Sequence, residues 1–363
     1  MKKEIDKNLY AVDFFCGAGG VSCGFRDAKI KVLGGIDINP AFKETYEKNN
    51  KAKFLNRDVS NMKINELEEL LPIQKKQDNL IFVGCSPCQY YSNLKSDKSK
   101  SQNGRLLLDD FKNFVLHYLP GFVFIENVPG LETKEGSPLD RFKKELKRKG
   151  YNFDDGVVNA KYFEVPQNRR RFVLVASRLN NTITLPEQNK KKPLSTVKDA
   201  IGDYNRFPVV QDGHCDDTTF QHSVAKLSEL NLKRVKETPR NGGTRLAWKD
   251  DPALQLDCYK NHNGHIDVYG RLSWDKPSSA ITTRFIYTST GRYSHPEQDR
   301  GLSLREGATL QSFPLNYKFY SKSQGDIATM IGNAVPPKLA KAIGVTIKNH
   351  WTQWLHSRQE QEH

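Results

Sequence analysis

Two cysteines three residues apart, Cys85 and Cys88 in Gly84-Cys-Ser-Pro-Cys-Gln-Tyr-Tyr-Ser92, are the side chains best suited to covalent chemistry. Three kinds of chemistry use such a pair. A structural zinc site needs a second ligand pair, and neither Cys215 nor Cys258 has a cysteine neighbour at that spacing. A redox dithiol sits at a helix start in a much smaller fold. A lone nucleophile would be Cys88, with Cys85 a small buried neighbour. Glu126 follows the apolar run Phe122–Ile125, an odd place for an acid in a strand that should be buried. It could serve as a reacting carboxyl, a helix cap or half of a buried ion pair. Gln167-Asn-Arg-Arg-Arg171 then places guanidiniums just before another apolar run.

A second group of residues suits a nucleoside. In Asp13-Phe-Phe-Cys-Gly-Ala-Gly-Gly20, the glycines at 17, 19 and 20 permit a tight turn that a ligand can approach closely. Asp37 lies roughly twenty residues on, where an acid commonly holds ribose hydroxyls. Asp58, in Asn-Arg-Asp-Val-Ser, is placed to meet an adenine amino group. Ser22 breaks the G-x-G-x-x-G pattern, which disfavours a dinucleotide. A ligand without a pyrophosphate, such as S-adenosyl-L-methionine, fits better; a plain tight turn is the alternative.

Apolar runs that would position these groups occur at 9–15, before Asp37, at 79–84, at 122–128 and at 170–177, with helical patterns between them. Strands alternating with helices predict an α/β fold with a doubly wound, mostly parallel sheet. The pattern changes after about Arg178, at a polar, lysine-rich connection. Beyond this connection, Trp248, Tyr259, Tyr269, Trp274, Tyr287 and Tyr293 are interleaved with Arg234, Arg240, Arg245, Arg271, Arg284 and Arg292. Such a mixture suits a nucleic-acid surface or a small domain with solvated arginines. Helical spacing returns at 302–313 and 338–355. Three segments are therefore expected: 1–180 around the cofactor and catalytic groups, 181–320 as a smaller irregular domain, and 321–363 as helices returning to the first.

Lysine and arginine number 56 against 42 acids, a formal charge of +14, which points to a polyanionic partner. No stretch approaches the roughly 20 apolar residues that cross a bilayer. A cytoplasmic protein with reduced thiols, no membrane and no metal is expected.

Taken in order, these motifs resemble the DNA cytosine-5 methyltransferase family over nearly the whole chain. DFFCGAGG matches the family's cofactor motif, CSPCQYYS the nucleophile motif, FIENVPG the glutamate motif and QNRRR the arginine motif. LREGATLQSFP matches the motif before the terminal helices, and IGNAVPP (331–337) the final cofactor motif. The resemblance implies a class I, Rossmann-like methyltransferase fold with a DNA-recognition domain. The activity implied is methyl transfer from S-adenosyl-L-methionine to C5 of a flipped-out cytosine in double-stranded DNA, with S-adenosyl-L-homocysteine as product. Cys88 would add to C6, Glu126 would face N3 and the exocyclic amine, and Arg169 and Arg171 would hold the base carbonyl and steady both. The cofactor positions implied are Phe15, Gly17, Gly19, Gly20, Asp37, Ile38, Asp58, Val59, Leu106, Asn333 and Ala334. The polar, basic segment Gln89–Arg105 would close over the flipped base, with Gln89, Ser92 and Arg105 touching DNA.

Base reading is expected from GGTR (242–245) and TTRFIYTSTGR (282–292), hence Arg245, Arg284 and Arg292. The RNA-acting branch carries little between the arginine motif and LREGATLQSFP, so the long insertion here favours DNA. Cys16, Ile38, Tyr90 and Tyr91 depart from the family pattern without removing a catalytic group. The compact length suggests a bacterial restriction–modification setting, a monomer, and a cognate restriction endonuclease that shares the site without stable contact.

Overall fold

The apolar run Tyr10–Phe14 folds as a strand whose inner positions are buried. A computed structural model describes residues 6–86, 101–131, 137–179, 182–259 and 264–361. Along the chain lie β1 (Tyr10–Phe14), α1 (Gly20–Asp27), β2 (Lys31–Asp37), α2 (Lys43–Asn50), β3 (Lys53–Asn56), α3 (Glu66–Leu70) and β4 (Leu80–Gly84). Next come α4 (Ser101–Tyr118), β5 (Phe122–Asn127), α5 (Pro138–Arg148), β6 (Asn152–Asn159) and β7 (Arg170–Ser177). After them come α6 (Val197–Ile201), α7 (Glu229–Glu237), α8 (Leu304–Leu310), α9 (Gln324–Asn333) and α10 (Pro337–Gln361).

Two compact units result. The first comprises Met1–Asn159, Arg170–Gln188 and Pro337–His363. The second comprises Ala160–Arg169 and Asn189–Pro336. The chain changes unit beyond the breaks read at 180 and 320. Leu185 N–H still donates to Asp154 Oδ2 at 2.8 Å, and Gln188 Oε1 accepts from Asn159 N–H at 2.9 Å.

The first unit is built on a seven-stranded sheet in the order β3-β2-β1-β4-β5-β7-β6. The first five strands are parallel, and β7 runs antiparallel to both β5 and β6. Strand order reverses between β1 and β4, so the crevice for a ligand opens beyond their carboxyl ends. β4 and β5 are buried along their whole length, as apolar strands covered on both faces must be. Phe14, Phe82, Phe111 and Phe114 pack at the centre of this core, with Phe14 ring centroids 5.2 Å from the other three. Gly84 ends β4 directly under α4; a Cβ there would stand 2.5 Å from the Phe111 ring.

The second unit has short helices and isolated bridges among its described residues rather than a sheet. A small apolar cluster contains Leu227, Val235, Trp248, Leu254, Val268 and Tyr269. Buried arginines do much of the remaining work. Arg271 is wholly buried, and it donates to the carbonyls of Thr238, Val235, His295 and Gln298 and to Asp299. Arg305 donates to the carbonyls of Phe220 and Tyr317. Arg300 grips Glu306 through two bonds of 2.8 and 2.7 Å. Without a strand ladder, backbone carbonyls still need donors, and one guanidinium supplies five.

Candidate active site

The cofactor turn follows from where β1 stops. Phe15 takes φ 59°, and Gly17 and Gly19 take φ 52° and 87°, so the chain folds back on itself within five residues. Left-handed backbone suits glycine and strains Phe15. α1 then starts at Gly20 with no side chain capping its first amides. Gly17 N–H donates to Asp37 Oδ2 at 2.9 Å, joining the turn to the end of β2. Asp37 Oδ1 accepts from Asn39 N–H at 2.9 Å.

Beside Asp37, Ile38 is 67% exposed, an apolar side chain without cover. Asn56 ends β3 opposite Asp37 and donates to the carbonyls of Asp37 and Ile38. Asp58 lies two residues further, with Oδ1 accepting from Ser60 N–H and Oδ2 from Asn61. Val59 turns its side chain into the core, so its backbone is what it offers a ligand. Leu106 and Arg105 fall on α4, but their side chains lie outside the described set.

Two acids give this turn its electrostatic character. Burial pushes Asp13 up to about 7, against hydrogen bonds from Ser22 and with Asp37 adding repulsion. Ser22 Oγ donates to Asp13 Oδ2 at 2.7 Å and lies 2.8 Å from Tyr46 Oη. Asp37 is likewise raised by burial, which three backbone amides partly oppose. Exposed apolar surface at Ile38 and the Asp37 carboxyl at the end of β2 suit the adenosine of a cationic ligand. S-adenosyl-L-methionine is such a ligand.

The reacting end lies at neighbouring strand ends. Glu126, 8% exposed, stands at the end of β5, and Arg171 at the start of the adjacent β7. Arg171 Nε lies 2.9 Å from Glu126 Oε1, an ion pair that links the end of β5 to the start of β7. Asn127 was missed by motif reasoning. Its buried amide donates to the Ser86 carbonyl at 3.3 Å and so ties the end of β5 to the segment leaving β4. The available signal was a second polar residue directly after Glu126 in an otherwise apolar strand. Burial, with Glu126 and Asp13 adding repulsion, pushes the Cys85 thiol far up. Cys85 is therefore a poor thiolate, which argues against a dithiol centre. Cys88, Gln89 and Ser92 lie outside the described residues.

The remaining expected residues belong to the second unit, where three of the arginines are engaged by backbone carbonyls or a carboxylate. Arg169 is 4% exposed, and its guanidinium donates to the carbonyls of Ile281, Gly332 and Ala334. Arg245 is buried and donates to the carbonyls of Gly264 and His265. Arg292 is engaged by Asp267 and by the carbonyls of Gly242, Gly243 and Arg271. Arg284 alone of the three proposed base readers is exposed, lying over the Tyr287 ring at 5.7 Å. Asn333 ends α9 and is exposed, and Ala334 is buried after it. Among the described residues no group of His, Cys, Asp and Glu could hold a metal.

Comparison with known proteins shows the family. Residues 9–349 match the family described as C-5 cytosine-specific DNA methylase. The Type II methylase M.HgiDII of Herpetosiphon aurantiacus is 35% identical over 96% of this chain and 97% of its own length. The Type II methyltransferase M1.BsuMI of Bacillus subtilis is 30% identical over 92% and 79%. The fold also matches the crystal structure of the Schizosaccharomyces pombe Dnmt2 methyltransferase, with TM-score 0.63 and 17% identity over 96% of this chain and 100% of that one. By sequence and by fold, the chain belongs to the C-5 cytosine-specific DNA methylases, which carry the methyl group of S-adenosyl-L-methionine to carbon 5 of cytosine in DNA.

Proposed function

We propose that Cys88 supplies the nucleophile, Glu126 the group facing N3, and Arg171 the group that orients Glu126, acting on a cytosine swung out of a specific duplex sequence. The observation that carries this reading is the Arg171–Glu126 pair, which joins the carboxyl end of β5, two strands from the glycine turn's β1, to the start of the antiparallel β7. Carbon 5 of cytosine is a weak nucleophile. Addition of the Cys88 Sγ to C6 opens the 5,6 double bond and places electron density on C5, provided N3 is protonated or strongly hydrogen-bonded. Glu126 is positioned to meet that demand. The bound cofactor supplies an electrophilic methyl carbon. After C5 has taken it, loss of the C5 proton restores the double bond and expels Cys88 as thiolate. The target must leave the helix because stacked neighbours cover these atoms.

Phe15, Gly17, Gly19, Gly20, Asp37, Ile38, Asp58 and the Val59 backbone are proposed to hold the cofactor. Leu106, Asn333 and Ala334 join them on their motif positions. Gln89, Ser92, Arg105 and Arg284 are proposed to meet DNA, and residues 181–320 to read the sequence. The Type II names of the relatives support a restriction–modification enzyme; a monomer in the cytoplasm, with a cognate endonuclease that shares its site, is proposed with it. Incubation with genomic DNA and the methyl donor, followed by base-resolution sequencing, should reveal 5-methylcytosine at one recurring sequence. Cys88→Ala that still methylates would refute the nucleophile.

A further inference from the structure

The carbonyl end of α9 is closed by side chains from elsewhere in its unit. A helix leaves its last carbonyls without intrahelical donors and gathers partial negative charge there. Gln311 Nε2 donates to the carbonyls of Ile331 at 2.8 Å and Ala334 at 3.0 Å. Arg169 Nη2 donates to Gly332 at 3.0 Å and Ala334 at 3.3 Å. The same guanidinium donates through Nη1 to the Ile281 carbonyl at 2.7 Å. Ile281 N–H donates to Gln167 Oε1 at 2.9 Å, and Gln167 Nε2 donates to Gln311 Oε1 at 2.7 Å. All three side chains are buried. The packing leaves no slack: a Cβ on Gly332 would stand 2.2 Å from the Thr282 carbonyl carbon.

Two stretches of different duty thus meet on one side chain. Gly332–Ala334 carries the final cofactor motif, and Ile281 leads directly into Thr282-Thr283-Arg284. We propose that Arg169 is a positioning residue that couples target recognition to cofactor binding, by bonding the Ile281 backbone and the carbonyl end of α9 at once. The inference rests on the proposed assignment of those two stretches. A displacement of Ile281 when DNA docks must move, or break, the bonds that hold Gly332 and Ala334. Arginine suits this because its planar fork serves several carbonyls in fixed directions, whereas a lysine ammonium is a single point of donation. Such coupling is reciprocal by thermodynamic linkage.

Calorimetric titration of S-adenosyl-L-homocysteine, with and without a duplex bearing the mapped target, tests this in the full chain. The wild type should bind the product at least about fivefold more tightly when the duplex is present. Arg169→Lys should bring that ratio within about twofold of one, and duplex affinity with and without the product should change by the same factor. An undiminished ratio in Arg169→Lys, or a ratio of one in the wild type, overturns the proposal. Should Arg169→Lys not fold, Gln311→Met takes its place. It should cut the ratio at least about twofold, and an unchanged ratio overturns the proposal equally. Covalent trapping on duplex carrying 5-fluorocytosine, at saturating cofactor, separates this from a role on the base. Trapping kept with coupling lost supports positioning; trapping lost with coupling kept overturns it. Failure of the wild type to trap would refute Cys88 and leave the binding ratio as an independent result.

Discussion

The two units of this chain solve one problem by different physics. In the first, backbone polar groups are consumed by a sheet, and Phe14, Phe82, Phe111 and Phe114 fill the space beside it. In the second, irregular backbone passes through the interior, and Arg271, Arg300, Arg305 and Arg169 satisfy its carbonyls or pair with Glu306. The difference teaches that an arginine-rich segment is not by itself a surface. Arg169, Arg234, Arg245, Arg271, Arg300 and Arg305 are buried there as cement, whereas the unit's described lysines and Arg284 are not buried.

The comparison breaks first at Arg271. Arg271→Met keeps the bulk and removes the donors, so it should cost about 3–5 kcal/mol in urea unfolding. Arg141→Met in the first unit, an exposed partner of Asp109, should cost under about 1 kcal/mol. Equal costs would erase the distinction between the units.

Acid sharpens the same contrast. Burial alone would raise the Glu306 carboxyl, but Arg300, with help from His295 and His222, holds it well below the usual range. A depressed folded-state value means stability that is present above about 4.5 and lost progressively as pH falls below it. Urea unfolding from pH 7 to pH 3 should show the second unit weakening, and Glu306→Gln should be weaker at pH 7 and less sensitive to acid.

A third pair of variants divides cement from contact. Arg245→Ala should lose about 1–3 kcal/mol of stability by leaving buried carbonyls unpaired. Arg284→Ala should change stability by under about 0.5 kcal/mol. Discrimination against a mismatched target should nonetheless fall by about 1–3 kcal/mol in filter-binding assays on matched and mismatched duplexes.

The opposite pH slope belongs to Asp13. Its raised value means that its own contribution to the first unit's stability is full below about 3.8 and is lost as pH rises to about 7. Thermal melts of Asp13→Asn should lose this slope.

The strands and the site were unequally readable. β1, β2, β4, β5 and β7 announce themselves as apolar runs, and Glu126 as an acid where none should be. β6 does not, because Asp154, Asp155 and Gly156 are poor strand formers. It exists because β7 pairs with it over its full length, while Lys143 and the Leu185 amide satisfy the two acids. Motif order identified the family, yet could not tell the surroundings of Arg171 from those of Arg169. Two residues apart in sequence, one meets a carboxylate and the other three carbonyls. That distinction depends on partners distant in sequence, and no local pattern carries it. Asn127 was hidden for the same reason, since its partner is the Ser86 carbonyl.

The central claim concerns one sulfur. Duplex bearing 5-fluorocytosine at the mapped position, mixed with enzyme and methyl donor, blocks loss of the C5 proton and should leave a covalent complex. Proteolysis and mass spectrometry should then find the nucleotide on the peptide containing Cys88, with Cys85 unmodified. No stable complex, or attachment at Cys85, would contradict the account.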